Sequence, residues 1–135
     1  MKVLVDTSVW SQALRHKEQT EIVEKLTELI VASLVVIIGP IRYERLSGIC
    51  DKDAYENLKS NLQTFDDYPI TTKDYETVTE YYNICHKNGI QRSHIALHIC
   101  AVAYNNNFLI CTTDHDFLYY AKYLQICLLN TDTVE

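Results

Sequence analysis

Residues 2–5, KVLV, form a short β-branched run that stops at Asp6, and TSVWSQAL after it carries helix-starting residues followed by apolar positions at helical spacing. The pattern predicts a strand, a turn bearing a carboxylate, and a helix. From Glu18 to about Ala32, the positions Ile22, Val23, Leu26, Leu29 and Ile30 recur on one helical face, with Glu and Lys opposite. That helix feeds LVVIIG, residues 34–39, an apolar run of the kind a buried strand shows. Pro40 suits the first turn of the next helix, IRYERLSGI, which Gly48 can end, with Glu44 one turn inside. DAYENLKSNLQTF and TKDYETVTEYYNICHKNG predict two amphipathic helices. Between them YPI is either a small strand or an extended link, and Gly89 closes the second helix. IQRSHIALHICAVAYNNN then reads as a helix ending in an asparagine turn, followed by the strand FLICT, the turn TDHD, the helix FLYYAKYL and a last strand, QICLLN.

Strands and helices alternate throughout, which predicts an α/β fold: a mostly parallel central sheet with helices on both faces, in three layers. A chain of 135 residues is the size of one domain, so residues 1–135 are expected to share one core. With 47% hydrophobic residues, three glycines and two prolines, the chain has the composition of an ordered globular protein. Its longest apolar run, LIVASLVVIIGPI, is interrupted by Ser33 and falls short of the ~20 residues a membrane span needs. MKVLVDTSVW lacks the layout of a signal peptide, so the expected location is cytoplasmic. Five cysteines without a C-x-x-C pair, four of them in apolar or amphipathic patterns, are expected to be buried thiols rather than a disulfide framework.

The net charge of −6 argues against a general basic coat for nucleic acid. It leaves room for a nucleic-acid enzyme, because carboxylates that bind divalent cations add to the negative count and attract phosphate once the metals are in place. In open α/β sheets the reactive groups gather beyond the carboxyl ends of the strands. Asp6, after the first strand, and Asp114 with Asp116, after FLICT, belong at that edge. Acids crowded there repel one another unless a cation or proton compensates. Magnesium or manganese fits, since these hard ions take oxygen ligands, usually from one or two carboxylates plus water and phosphate. Each acid also has a plainer role open to it. Asp6 can cap the helix after it, Asp114 and Asp116 can cap a helix starting at Phe117, and Glu44 alone would be a solvated face residue.

Four segments together resemble the PIN-domain family, and within it the VapC toxins of type II toxin–antitoxin pairs. VLVDTSVW at 3–10 is similar to the family's first strand and acid, GPIRYERLSGI at 39–49 to its second acidic segment, GIQRSHIALHICAVA at 89–103 to its third, and TTDHDF at 112–117 to its last. The resemblance implies a magnesium- or manganese-dependent endoribonuclease acting on RNA, often transfer or ribosomal RNA. It also implies a homodimer held inactive by a VapB-type antitoxin that commonly inserts a positive side chain toward the acids. Residue by residue, it puts Asp6 at the first metal-binding acid, Glu44 at the second and Asp114 at the acid of the fourth segment, with Asp116 an auxiliary or capping carboxylate. The match breaks at the third acid, where this sequence has Ala96. Alanine supplies no oxygen, so weak metal binding and strongly reduced cleavage are expected.

Softer candidates surround these acids. Arg92, Arg42 and Arg45 can contact RNA phosphates, the alternative being ordinary surface or salt-bridged arginines. Thr7, Ser8 and Thr112 can orient water or hold the neighbouring acids. His94 and His98 lie four apart on one helix face, yet H-x-x-x-H without the internal Glu is a weak zinc pattern, and Cys100 lies off that face. Two rivals stand beside the ribonuclease. One is a non-catalytic PIN-domain protein that binds antitoxin and acts in autoregulation. The other, a phosphatase with an aspartate nucleophile, would require a second Asp at position 8, where the chain has Ser8.

Overall fold

The computed structural model describes residues 1–15 and 20–129, so the ends of two expected elements, Glu18 and Asn130, lie outside the described residues. Its centre is a parallel sheet in which β1 (Val3–Val5) lies between β2 (Val35–Val36) and β3 (Leu109–Cys111). Val3 and Leu4 pair with Val35 and Val36 on one side, and Val3, Leu4 and Val5 with Leu109, Ile110 and Cys111 on the other. All three residues of β1 are buried. Successive strand side chains point to opposite faces, so both faces of the sheet are covered, as a three-layer α/β fold requires.

The helices that cover it are α1 (Thr7–Arg15), α2 (Glu21–Val31), α3 (Gly39–Leu46), α4 (Lys52–Leu62), α5 (Thr72–Lys87), α6 (His94–Asn106) and α7 (Asp116–Tyr123). Local chemistry sets most of their ends. Pro40 occupies the first turn of α3, and Gly48 follows its end at φ +83°, a conformation glycine adopts without strain. The asparagine turn is present too: Asn107 closes α6 in the left-handed region at φ 58°. In α6, five consecutive residues from Ile99 to Val102 and Ala103 are all buried, the mark of a helix enclosed on every side. Among the described residues no helix is long and apolar enough to cross a membrane.

Several boundaries differ from the sequence reading. The run at 34–39 yields only a two-residue strand, because Ile37 turns its pairing outward to Asp67, where Tyr68 N–H donates to the Ile37 carbonyl at 2.8 Å. The YPI segment is therefore an extended link that joins this edge through Tyr68 and through Asp67 just before it. QICLLN forms a single parallel bridge, Ile110 with Leu128, rather than a full strand. Cys127 on that segment is exposed, as is Cys50, while Cys85, Cys100 and Cys111 are buried. Finally, α7 starts at Asp116, one residue before the expected Phe117.

A buried polar clamp joins the two longest helices. Thr71 caps α5 by accepting the Asp74 N–H at 3.2 Å, and the Asp74 carboxylate returns the bond to the Thr71 N–H at 2.9 Å. The other oxygen of Asp74 accepts from Asn105 of α6 at 2.8 Å, and the same amide reaches Thr77 at 3.1 Å. Asp74 is almost wholly enclosed. Replacing Asn105 by Ala strips a buried carboxylate of a donor, which is expected to cost about 1–3 kcal/mol. Urea unfolding of the Asn105→Ala protein measures it, and a loss well under 1 kcal/mol would count against the clamp.

Candidate active site

The sheet places its chemistry where β1 and β3 end side by side. The Asp6 N–H donates to the Cys111 carbonyl at 2.9 Å, so the two strands finish level and the segments after them meet. Asp6 also opens α1, its carbonyl accepting from Val9 and Trp10, and its carboxylate accepts the Ser8 N–H at 3.4 Å. The capping role is real for this residue. It does not exhaust the side chain, because the hydroxyls of Ser8 and Thr112 both donate to Oδ2 at 2.8 Å. From there the order spreads outward. Ser8 Oγ accepts the Thr113 N–H at 3.0 Å, Thr112 Oγ1 accepts the Asp114 N–H at 3.0 Å, and Asp114 Oδ1 accepts the Asp116 N–H at 2.9 Å. Asp114, not Asp116, thus supplies the side-chain bond at the start of α7.

Glu44 arrives from α3, where Thr7 Oγ1 donates to its Oε1 at 2.6 Å. The result is a cleft of about 170 Å³ lined by Asp6, Glu44, Asp114 and Asp116, with Thr7 and Ser8 beside them. Ala96 lies in the same wall, 7% exposed in the first turn of α6. Ser11, Ser93, Ile95, Phe117 and Tyr120 complete the lining, and of these Ser11, Ser93 and Ile95 were not singled out from sequence. Two carried a usable signal. Ser11 falls one turn beyond Thr7 and Ser8 on α1, and Ser93 is the N-cap of α6, accepting the Ala96 N–H at 3.3 Å.

Burial raises the Asp6 carboxyl above its ordinary 3.8, against the pull of the hydrogen bonds from Ser8, Thr112 and the Thr7 and Ser8 backbone. Burial likewise pushes the Cys111 thiol up to about 11, with Asp6 adding to the effect. The Cys111 thiol is buried behind the cleft rather than in its lining, and burial keeps it protonated at neutral pH. Tyr120 in the cleft wall is pushed up to about 12, chiefly by burial, and stays a neutral phenol.

The PIN domain family model matches residues 3–123, nearly the whole described chain. The chain belongs to the PIN domain family. No curated protein matches it in sequence. Among solved structures it is similar to FitAcB from Neisseria gonorrhoeae, at 18% identity and TM-score 0.77, with 96% of this chain and 97% of that one covered. It is also similar to VapBC2 from Rickettsia felis bound to a DNA fragment from their promoter, at 16% identity and TM-score 0.76, covering 96% and 98%. A third is VapBC-5 from Mycobacterium tuberculosis, a member of the VapBC family of toxin–antitoxin systems, at 15% identity and TM-score 0.70, covering 96% and 98%. At these identities the likeness is one of fold.

This PIN domain brings its four acids together and keeps its three candidate arginines elsewhere. Arg42 is spent inside the fold, bonded to Asp67 at 3.0 Å and to the Leu62 and Phe65 carbonyls at 2.9 and 2.5 Å. Arg45 lines a separate pocket with Leu14, Ile49 and Leu58. Arg92 lies 4.4 Å from the Tyr82 ring centroid and bonds to the Ile90 carbonyl, Tyr82 Oη and His86 Nδ1. The histidines are in aromatic contacts, His94 with Tyr82 and His98 with Tyr75. No three His, Cys, Asp or Glu among the described residues stand close enough to enclose an ion by themselves. Magnesium does not need that, because it is held by one or two carboxylates and completes its shell with water and phosphate. The donor set is all oxygen and no Lys or Arg is among the residues lining the cleft, so a hard divalent cation fits it.

The raised Asp6 value has a definite sign. Without metal, the folded chain keeps the Asp6 proton to higher pH than the unfolded chain, so ionised Asp6 costs stability above the folded value. Asp6→Asn retains an acceptor for Ser8 and Thr112 and is expected to stabilise the chelated protein at neutral pH. The gain should shrink as pH falls through the folded value and vanish below about 3.8. Urea unfolding in chelator across pH tests this, and an Asp6→Asn protein less stable than the parent at neutral pH would refute it.

Proposed function

We propose that this PIN domain is a VapC-like toxin, a magnesium- or manganese-dependent endoribonuclease neutralised by a cognate VapB-type antitoxin and weakened by alanine at position 96. One observation carries the reading: three separate segments deliver Asp6, Glu44, Asp114 and Asp116 to one cleft lined by no basic side chain. Acids gathered this way serve a divalent cation, which, when bound, activates water and offsets charge on a phosphodiester. Asp6 and Asp114 are the residues to hold it, with Glu44 reaching it directly or through water. Thr7 fixes the Glu44 carboxylate, and Ser8 and Thr112 fix that of Asp6, so the donors are oriented before substrate arrives. The acidic cleft would equally receive a basic side chain of an antitoxin. The resemblance to toxin–antitoxin complexes supports that partner, and a cytoplasmic homodimer belongs to the same proposal.

Ala96 marks what this form lacks. It is the third residue of α6, and the Ser93 side chain already accepts its N–H. An aspartate there can return the bond to the Ser93 N–H, as Asp74 does for Thr71, and suits the positive end of the helix. The fold should therefore accept Ala96→Asp without loss. That substitution is expected to raise magnesium-dependent RNA cleavage by about 10- to 100-fold and to confer growth arrest, with Glu44→Gln in the same background removing both.

The second reading, a non-catalytic PIN domain that binds antitoxin and acts in autoregulation, is favoured by Ala96 itself, which leaves the cleft wall without a carboxylate at that point. Should Ala96→Asp bind antitoxin and yet leave RNA intact with either metal, that second reading replaces the first.

A further inference from the structure

Beside the acid cleft lies a second cavity, larger at about 290 Å³, lined by Gly89, Ile90, Gln91, Asp116 and Tyr119. Asp116 borders both, so the two spaces adjoin. The wall on one side is the link between α5 and α6, and several contacts hold it in shape. Gly89 turns the chain at φ +68°, Arg92 donates to the Ile90 carbonyl at 3.2 Å, and Tyr120 Oη donates to the Gln91 carbonyl at 3.4 Å. The wall on the other side is the start of α7. There Tyr119 is 54% exposed, with Lys122 Nζ 5.3 Å from its ring centroid.

Two polar groups around this space have chemistry and no internal use for it, and an exposed ring stands beside them. Among the described residues, the Asp116 carboxylate and the Gln91 side-chain amide have no hydrogen-bond partner, and the half-exposed Tyr119 ring has Lys122 Nζ over one face. A stacking ring, a carboxylate acceptor and an amide that both donates and accepts are the groups that recognise a nucleobase. The link that forms one wall belongs to a part of the chain poor in acids. Between Glu80 and Asp114 the chain has no Asp or Glu, although it carries 18 of them in all, and the interval holds Lys87, Arg92 and three of the five histidines. Along the wall from Gly89 to Arg92 the carboxylate that borders the cavity is therefore Asp116 alone among the lining residues, contributed from α7.

We infer that the cavity between Gly89–Gln91 and Tyr119 is a nucleobase subsite that holds an unpaired base of the RNA strand next to the phosphate being cut. The base stacks on Tyr119 and donates to Asp116. Guanine suits it best, since its N1–H and N2–H₂ lie side by side for one carboxylate, while uracil offers a single N–H between two acceptors. The inference rests on the ribonuclease reading and adds to it a source of sequence preference.

The test uses the full chain with Ala96 in place, whose weak cleavage leaves the RNA intact during binding. Fluorescence anisotropy in magnesium buffer would follow short oligouridine strands that carry one central guanosine, adenosine, cytidine or uridine. The guanosine strand is expected to bind about tenfold more tightly than the all-uridine strand. Tyr119→Ala should abolish most of that difference and Tyr119→Phe should keep it, with both variants folded as judged by circular dichroism. Equal affinity for all four strands, or an unchanged guanosine preference in Tyr119→Ala, overturns the subsite. If the Ala96→Asp protein still cuts RNA, the ribonuclease reading survives that result. If no strand binds and Ala96→Asp cuts nothing, both fall together.

Discussion

The Asp6 carboxylate sits almost buried at the carboxyl end of the central strand, and hydroxyls from α1 and from the segment after β3 converge on its Oδ2. A carboxylate in such a place costs free energy unless donors or a cation surround it. Ser8 comes from α1 and Thr112 from the segment after β3, so supplying this one acid ties together two segments far apart in sequence. The same hydroxyls then accept backbone N–H groups of Thr113 and Asp114. Asp114 stands at the cleft because the donors that Asp6 requires also grip the backbone that carries Asp114.

Position 96 shows how closely the helix ends and the chemistry are joined. The helix α5 opens with a reciprocal pair, Thr71 and Asp74, and α6 opens with half of one, Ser93 above Ala96. A carboxylate in that register would finish the cap and border the acid cleft at once. Alanine gives up both and relieves the repulsion among the acids that remain. The same short stretch also begins with Arg92, whose guanidinium is occupied by Tyr82, His86 and the Ile90 carbonyl. Its work is to hold the link between α5 and α6.

The acids were legible in the sequence because each occupies a position that local pattern identifies. Asp6 ends a strand, Glu44 lies one turn into a helix begun by Pro40, and Asp114 and Asp116 flank a turn. Parallel strands then bring such positions to one edge. The asparagine cap of α6 was legible for the same reason, since tolerance of the left-handed region is a property of the residue itself. What local pattern does not contain is the partner. Arg42 looked like its neighbours until the carbonyls of Leu62 and Phe65 and the carboxylate of Asp67 claimed it. The apolar run at 34–39 announced burial and said nothing of where its pairing would switch from β1 to Asp67. QICLLN met only Ile110 and remained a bridge. The cavity beside α7 was equally hidden, because its walls come from the link before α6 and the helix after β3.

The bond from Thr112 to Asp6 spans 106 positions of the chain. A polypeptide that has not yet reached Leu109 can pair β1 with β2 and fold the helices between them, but it has nothing to lay along the other side of β1. Contacts separated this widely in sequence form late, after the loop between them has been closed. The acid site therefore needs nearly the whole chain before it can be assembled, and a chain cut short before β3 carries Asp6 and Glu44 without a cleft to put them in.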